Sequence, residues 1–270
     1  MKKLLSSICF VSDMIRTHQE RRIGRSAAEF AYFMTLSIFP LLICAVAILA
    51  NFEMSMEGLF AGLWASEVVG TVLGYVSHAG EVPTQLILTV SITVIVTSGS
   101  AAFRAVAKSM EEIQGKPRYA GLWGFVFSFV FSLLLLFTVY FSVLMITTGA
   151  WLMETVEALT GLYGLALFWR RIRFPLLFAI VVLVVHLIYT FTAPKELQIR
   201  RLPGAILATI ALVAGSMIFS GFMAVSARYP LVYGSLASFI LLMVWCHLCG
   251  NILIIGNLFN YVRYQRKHPG

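Results

Sequence analysis

Six stretches of the chain are apolar for long enough to cross a bilayer, and no other feature limits its fold as much. They run roughly over 27–51, 86–107, 123–149, 174–193, 203–225 and 234–261. A helix rises ~1.5 Å per residue, so about 20 apolar residues cover the ~30 Å of hydrocarbon. Inside hydrocarbon every backbone N–H and C=O has to be satisfied within its own segment, which leaves helices for runs of this length. Composition agrees: 60% of the 270 residues are hydrophobic and 12% charged, against ~45–50% and ~25% in a soluble domain. The expected fold class is an all-α integral membrane protein, a six-transmembrane-helix bundle over 26–262 followed by a basic tail at 263–270. Such a chain is not a water-soluble enzyme.

An even number of crossings puts both termini on one side. Alternating the loops assigns Lys2, Lys3, Arg16, Arg21, Arg22 and Arg25 to that side. Arg104, Lys108, Lys116, Arg118, Lys195, Arg200, Arg201, Arg263, Arg266 and Lys267 join them. The opposite side receives Arg170, Arg171, Arg173 and Arg228, so the split is sixteen against four. Basic residues accumulate on the cytoplasmic side of a membrane protein, so the termini are expected in the cytoplasm and the protein in a plasma membrane. The net charge of +8 is spread over these loops rather than gathered in one patch, so no nucleic-acid partner is expected. The run WRRIRF, from Trp169 to Phe174, is discordant, and reads as a cluster at the outer interface or on a cavity wall.

Residues 1–25 resemble a signal peptide only at first sight, since the apolar part is short, meets Asp13 and lacks a small-residue cleavage site. Leu4, Ile8, Val11 and Ile15 instead share a helical face amid basic residues. That pattern predicts an interfacial helix lying on the anionic lipids of the inner leaflet. Between the first two spans Phe60, Trp64, Val68, Val72 and Val76 repeat every fourth residue amid four glutamates, which predicts an amphipathic helix on the outer face. The stretch 152–169, with Glu154 and Glu157, reads as a second such element.

Ionisable and polar groups inside the spans are the first candidates for function, because a charge at a span centre costs about 2.5–3.5 kcal/mol on insertion scales. Glu29 pairs with Arg25, Arg104 or Lys108 as an interfacial anchor, or belongs to a substrate or proton site inside the bundle. Arg104 stands at the cytoplasmic end of the second span. His186 and His247 lie deep in the fourth and sixth spans, where imidazoles join helices by hydrogen bonds or relay protons. Asn251 shares a face with His247 one turn away. Pro40 is expected to kink the first span, and Gly234 to act as a hinge where the last begins. Thr89, Thr93 and Thr97 form one row, and Gly204, Ala208, Ala211 and Gly215 another; both suit close helix contact, though the threonines could also line a polar path.

Catalytic signatures are lacking. The chain has one aspartate, Asp13, and five dispersed histidines, so the clustered ligands of a two-metal nuclease are not available. It has neither a G-x-x-x-x-G-K-[ST] loop nor a G-x-S-x-G elbow. Cys246 and Cys249 share a helix face, but zinc takes four ligands and haem attachment a following histidine. No metal, cofactor or enzymatic activity is expected.

Several local patterns resemble the YihY/BrkB family of bacterial inner-membrane proteins over about Arg25 to Tyr261. Ser26-Ala27-Ala28, Ala31-Tyr32 and Ser37-Ile38-Phe39-Pro40-Leu41-Leu42 are similar to its first-span signature. Tyr189 with Pro194, then Pro203-Gly204-Ala205, resembles its fourth-to-fifth connection. Tyr233-Gly234-Ser235-Leu236-Ala237, with Trp245 and Gly256, resembles its last span. After Gly256 the family often has a small and an acidic residue, where this chain has Asn257 and Leu258. The resemblance implies six spans with cytoplasmic termini, an old ribonuclease BN label and suggested export roles without a defined substrate. Three function classes follow: a transporter or lipid-handling protein without its own ATPase, a membrane scaffold that binds partners or lipids, and, against the ligand inventory, a ribonuclease.

Overall fold

The structure, a computed structural model, describes residues 2–50, 84–115, 122–147, 153, 156–157, 164–192, 199–225 and 235–267. Among these residues there are seven helices: α1 (Lys2–Glu20), α2 (Ile23–Ala50), α3 (Thr84–Gln114), α4 (Leu122–Thr147), α5 (Leu165–Thr192), α6 (Leu202–Val225) and α7 (Ser235–Lys267). Four segments within them are long and apolar enough to cross a membrane: Leu88–Gln114, Leu167–Thr192, Leu202–Phe222 and Phe239–Lys267. The chain is a helical membrane protein. Helices α2 and α4 cover the first and third apolar runs.

Three helix limits depart from the sequence reading, each for a physical reason. Helix α3 continues past 107 to Gln114 because Met110 and Ile113 remain on its buried face after the apolar run has ended. Helix α5 begins at Leu165, so the arginine-rich run is helical rather than a connection. Arginine is a good helix former, and hydropathy alone cannot place a boundary there. Helix α7 carries the basic residues after 262 on to Lys267, where a separate tail was expected, because Val262 is still buried against neighbours. The expected outer helix at 60–76 and Gly234 lie outside the described residues, as does most of 152–164.

Helix α2 runs unbroken from Ile23 to Ala50 with Pro40 inside it. Proline has no N–H, so the Leu36 carbonyl loses its intrahelical donor. Pro175 does the same to the Arg171 carbonyl in α5.

The chain forms two compact units, Met1–Thr35 with Ser100–Ser132 and Val181–Gly270, and Leu36–Gly99 with Leu133–Ile180. In the first, α2 buries Ile23, Ala27, Phe30 and Ala31 at helical spacing, and α7 buries Leu253, Ile254, Leu258 and Val262. Hydrocarbon tails are as apolar as leucine, so such packing rests on close fit and interhelical hydrogen bonds rather than on escape from water. Small residues provide that fit. A Cβ on Gly250 would stand 2.9 Å from the Phe30 ring and 3.3 Å from Ala27 Cα. The stripe on α6 faces α7 in the same way: Ala208 and Gly204 meet Gly256, and Gly215 meets Leu248. Helix α1 also packs on α7, with Phe10 edge-on to Phe259 at 5.4 Å and Asp13 bonded to Arg266 at 2.8 Å.

In the second unit, Ser91, Ile95 and Ser98 form the buried face of α3. The threonine row is exposed on another face of this helix, and the Thr89, Thr93 and Thr97 hydroxyls each bond the carbonyl four residues earlier. The row therefore satisfies itself and is not the packing surface of α3.

Candidate functional site

Among the described residues, a polar seam lies at the junction of α3, α5, α6 and α7. Tyr189 of α5 donates its hydroxyl proton to the Leu253 carbonyl of α7 at 2.6 Å. The Gly204 N–H, one of the unpaired donors that begin a helix, reaches Asn260 Oδ1 at 2.8 Å. Asn260 Nδ2 donates back to the Arg201 carbonyl at 2.9 Å. Gln114 Nε2 donates to Asn257 Oδ1 at 3.2 Å, with both side chains buried. Asn257 thus serves α3 from the position where the family often has a small residue. The seam closes the first unit: Gly204 and Gly256 are so near that a Cβ on Gly204 would lie 2.2 Å from the Gly256 carbonyl oxygen.

Of the residues singled out from sequence, Glu29, Arg104, His247 and Asn251 each have their own local contacts. Glu29 pairs with Arg25 at 3.4 Å, and both side chains are largely exposed. Arg104 is exposed, with its guanidinium 5.2 Å from the centre of the Phe125 ring. Asn251 Nδ2 lies 3.0 Å from His247 Nε2 and donates to the His247 carbonyl at 3.0 Å, so that pair closes on its own helix. His186 is half-buried, and its Nδ1 has no hydrogen-bond partner. Among the described residues no hydrogen bond or ion pair joins Glu29, Arg104 and His186 to one another or to the His247–Asn251 pair. No three of His, Cys, Asp or Glu come together there either.

Two concave places emerge among the described residues, and the sequence marked only one of them. The first is a cleft of about 40 Å³ among Phe103, Phe127, Phe131 and Phe191, with Glu111 and Thr192 also lining it. Its aromatic walls are themselves in contact, Phe103 with Phe131 at 5.3 Å and Phe131 with Phe191 at 5.1 Å. Drug-sized ligands occupy ~300–1,000 Å³, so this cleft takes no more than a small group. Phenylalanines recur throughout the chain, and no spacing marks these four.

The second lies in the other unit, on the first turns of α5. Leu167, Phe168, Arg170 and Arg171 line an open concavity of about 630 Å³. Arg173 stands over the Phe174 ring at 4.7 Å. Its Nε, and Nε1 of Trp169 one turn earlier, are buried without an acceptor. Here the sequence did carry a signal, the breach of charge asymmetry at WRRIRF, and Arg170 and Arg171 of that run line the concavity.

Comparison with known proteins agrees with this membrane architecture. The chain is 28% identical to a UPF0761 membrane protein of Vibrio campbellii, over 99% of this chain and 86% of that one. A UPF0761 membrane protein of Vibrio cholerae is also 28% identical, over 92% of this chain and 84% of its own. A protein of Bacillus subtilis named as ribonuclease-like, YfkH, is 25% identical over 96% of both chains. No solved structure matches significantly. The family described as virulence factor BrkB matches residues 14–270, nearly the whole chain, and the protein belongs to that family.

Proposed function

We propose that this protein spans the bacterial inner membrane six times with both termini in the cytoplasm, and that it handles a lipid or similar amphiphile without an ATPase of its own. The observation that supports this reading is the proline inside two apolar helices, Pro40 of α2 and Pro175 of α5, each of which leaves a carbonyl without its helical donor inside a span. Irregular backbone at membrane depth is tolerated beside protein or a water-lined cavity, and the polar headgroup of an amphiphile needs such a path to cross. The close packing of α5, α6 and α7 at Tyr189, Gly204, Gly256 and Asn260, with a cleft of only about 40 Å³ beside it, gives no path through the first unit and favours the scaffold reading below. The basic ends favour contact with anionic lipids of the inner leaflet.

The proposal assigns no catalysis. The ribonuclease-like name of the Bacillus relative is not extended to this chain, because metal-dependent cleavage draws on clustered carboxylates and the one aspartate is paired with Arg266. Docking of α1 on α7 favours a second reading, a scaffold whose terminal helices present a binding surface in the cytoplasm.

Reconstitution into sealed vesicles tests the function. Protein-dependent movement of a fluorescent phospholipid between leaflets, without release of a trapped hydrophilic dye, is the expected result. Dye release would point to a solute path, and an unchanged lipid distribution would favour the scaffold. Cysteines placed at Lys3 and Lys267 should resist a membrane-impermeant maleimide in intact cells and react after lysis.

A further inference from the structure

We infer that the first turns of α5 bind the phosphate of an anionic phospholipid, with Arg170 and Arg171 as its contacts. The four residues of the concavity combine two guanidiniums with two apolar side chains, Leu167 and Phe168, that are 69% and 61% exposed. Guanidinium groups match phosphate oxygens in bidentate geometry. The volume of about 630 Å³ falls within the ~300–1,000 Å³ of small-molecule sites.

Charge balance points to the same ligand. Arg170, Arg171 and Arg173 lie within four residues, and among the described residues none of them has an ion-pair partner. The first turn of α5 carries no acidic residue to offset them. An anion relieves the mutual repulsion of the arginines.

Free phosphate and a lipid headgroup share this chemistry, and the apolar surroundings select the lipid. Phe168, Ile172 and Leu176 form an exposed row with four-residue spacing, leading from the arginines along α5. A headgroup at Arg170 and Arg171 would lay an acyl chain against that row. The inference rests on the lipid-handling reading for placing this turn at the outer leaflet, and it names the headgroup class. Binding is measured without movement, so either can fail alone.

The experiment titrates the full-length protein in neutral detergent with dihexanoyl phosphatidylglycerol, read by native mass spectrometry. Inorganic phosphate is added separately as a competitor. Saturable binding is expected, weakened about tenfold or more by R170Q/R171Q, weakened less by R170K/R171K, which keeps the charge but not the bidentate fork, and not displaced by phosphate in large excess. Helical circular dichroism and a single species in detergent check that each variant is folded. Should R170Q/R171Q fail to purify, R171Q compared with the lysine pair carries the test. Equal binding by a folded glutamine variant would overturn the assignment, and displacement by phosphate alone would overturn the lipid as its source.

Discussion

Asn260 of α7 holds the first turn of α6 by two hydrogen bonds, accepting the Gly204 N–H at 2.8 Å and donating to the Arg201 carbonyl at 2.9 Å. One carboxamide thereby satisfies a helix-start donor that would otherwise be buried without a partner. The contact also brings the two backbones together at the Gly204–Gly256 crossing.

Gly204→Ala should therefore be among the most damaging single-carbon additions to the chain. Its Cβ would stand 2.2 Å from the Gly256 oxygen and 2.3 Å from Asn260 Nδ2, so α6 and α7 must separate. We expect a loss of about 3 kcal/mol, the upper end for an overpacked core, seen as a lower unfolding midpoint in detergent. A midpoint equal to that of the parent protein would show that the crossing has slack.

Asn260→Leu removes the acceptor for Gly204 while keeping much of the volume. The expected cost is about 1–3 kcal/mol, the penalty of an unsatisfied buried donor. Tyr189→Phe should cost less, about 0.5–1 kcal/mol, because the Leu253 carbonyl loses only the hydroxyl bond at 2.6 Å. Thermal unfolding of the two variants side by side checks the order.

Helix α1 should be released from α7 by weakening the contact at Phe10 or Asp13. The Asp13–Arg266 pair is partly exposed, so Asp13→Asn is expected to cost only about 0.2–1 kcal/mol, and less in high salt. Phe10→Ala removes the edge-on ring against Phe259 and the face under Arg266, and should act more strongly. Hydrogen exchange along α1 measures both, with faster exchange expected in the order parent, Asp13→Asn, Phe10→Ala.

Glu29→Gln should leave stability within about 0.5 kcal/mol, since the pair with Arg25 is exposed and made within one helix. Lipid movement in vesicles should be unchanged as well. A folded Glu29→Gln protein that no longer moves lipid would instead give this carboxylate a place on the pathway.

The sequence alone determined the medium, the helical class and the uneven distribution of basic residues. These are local properties: a run of about 20 apolar residues has to satisfy its backbone within itself, whatever surrounds it. Local reading went astray where charge and helix part company, as at Arg170–Arg173, because arginine ends an apolar run without ending a helix. It could not say that Asn260 serves Gly204, 56 residues away, or that the threonine row turns away from the buried face of α3. Nor could it bring His186 and Glu29 together or apart. Those outcomes belong to the tertiary structure. In hydrocarbon every face of a span is equally apolar, so rotation and depth are chosen by close backbone approach at small residues and by a few hydrogen bonds between distant segments.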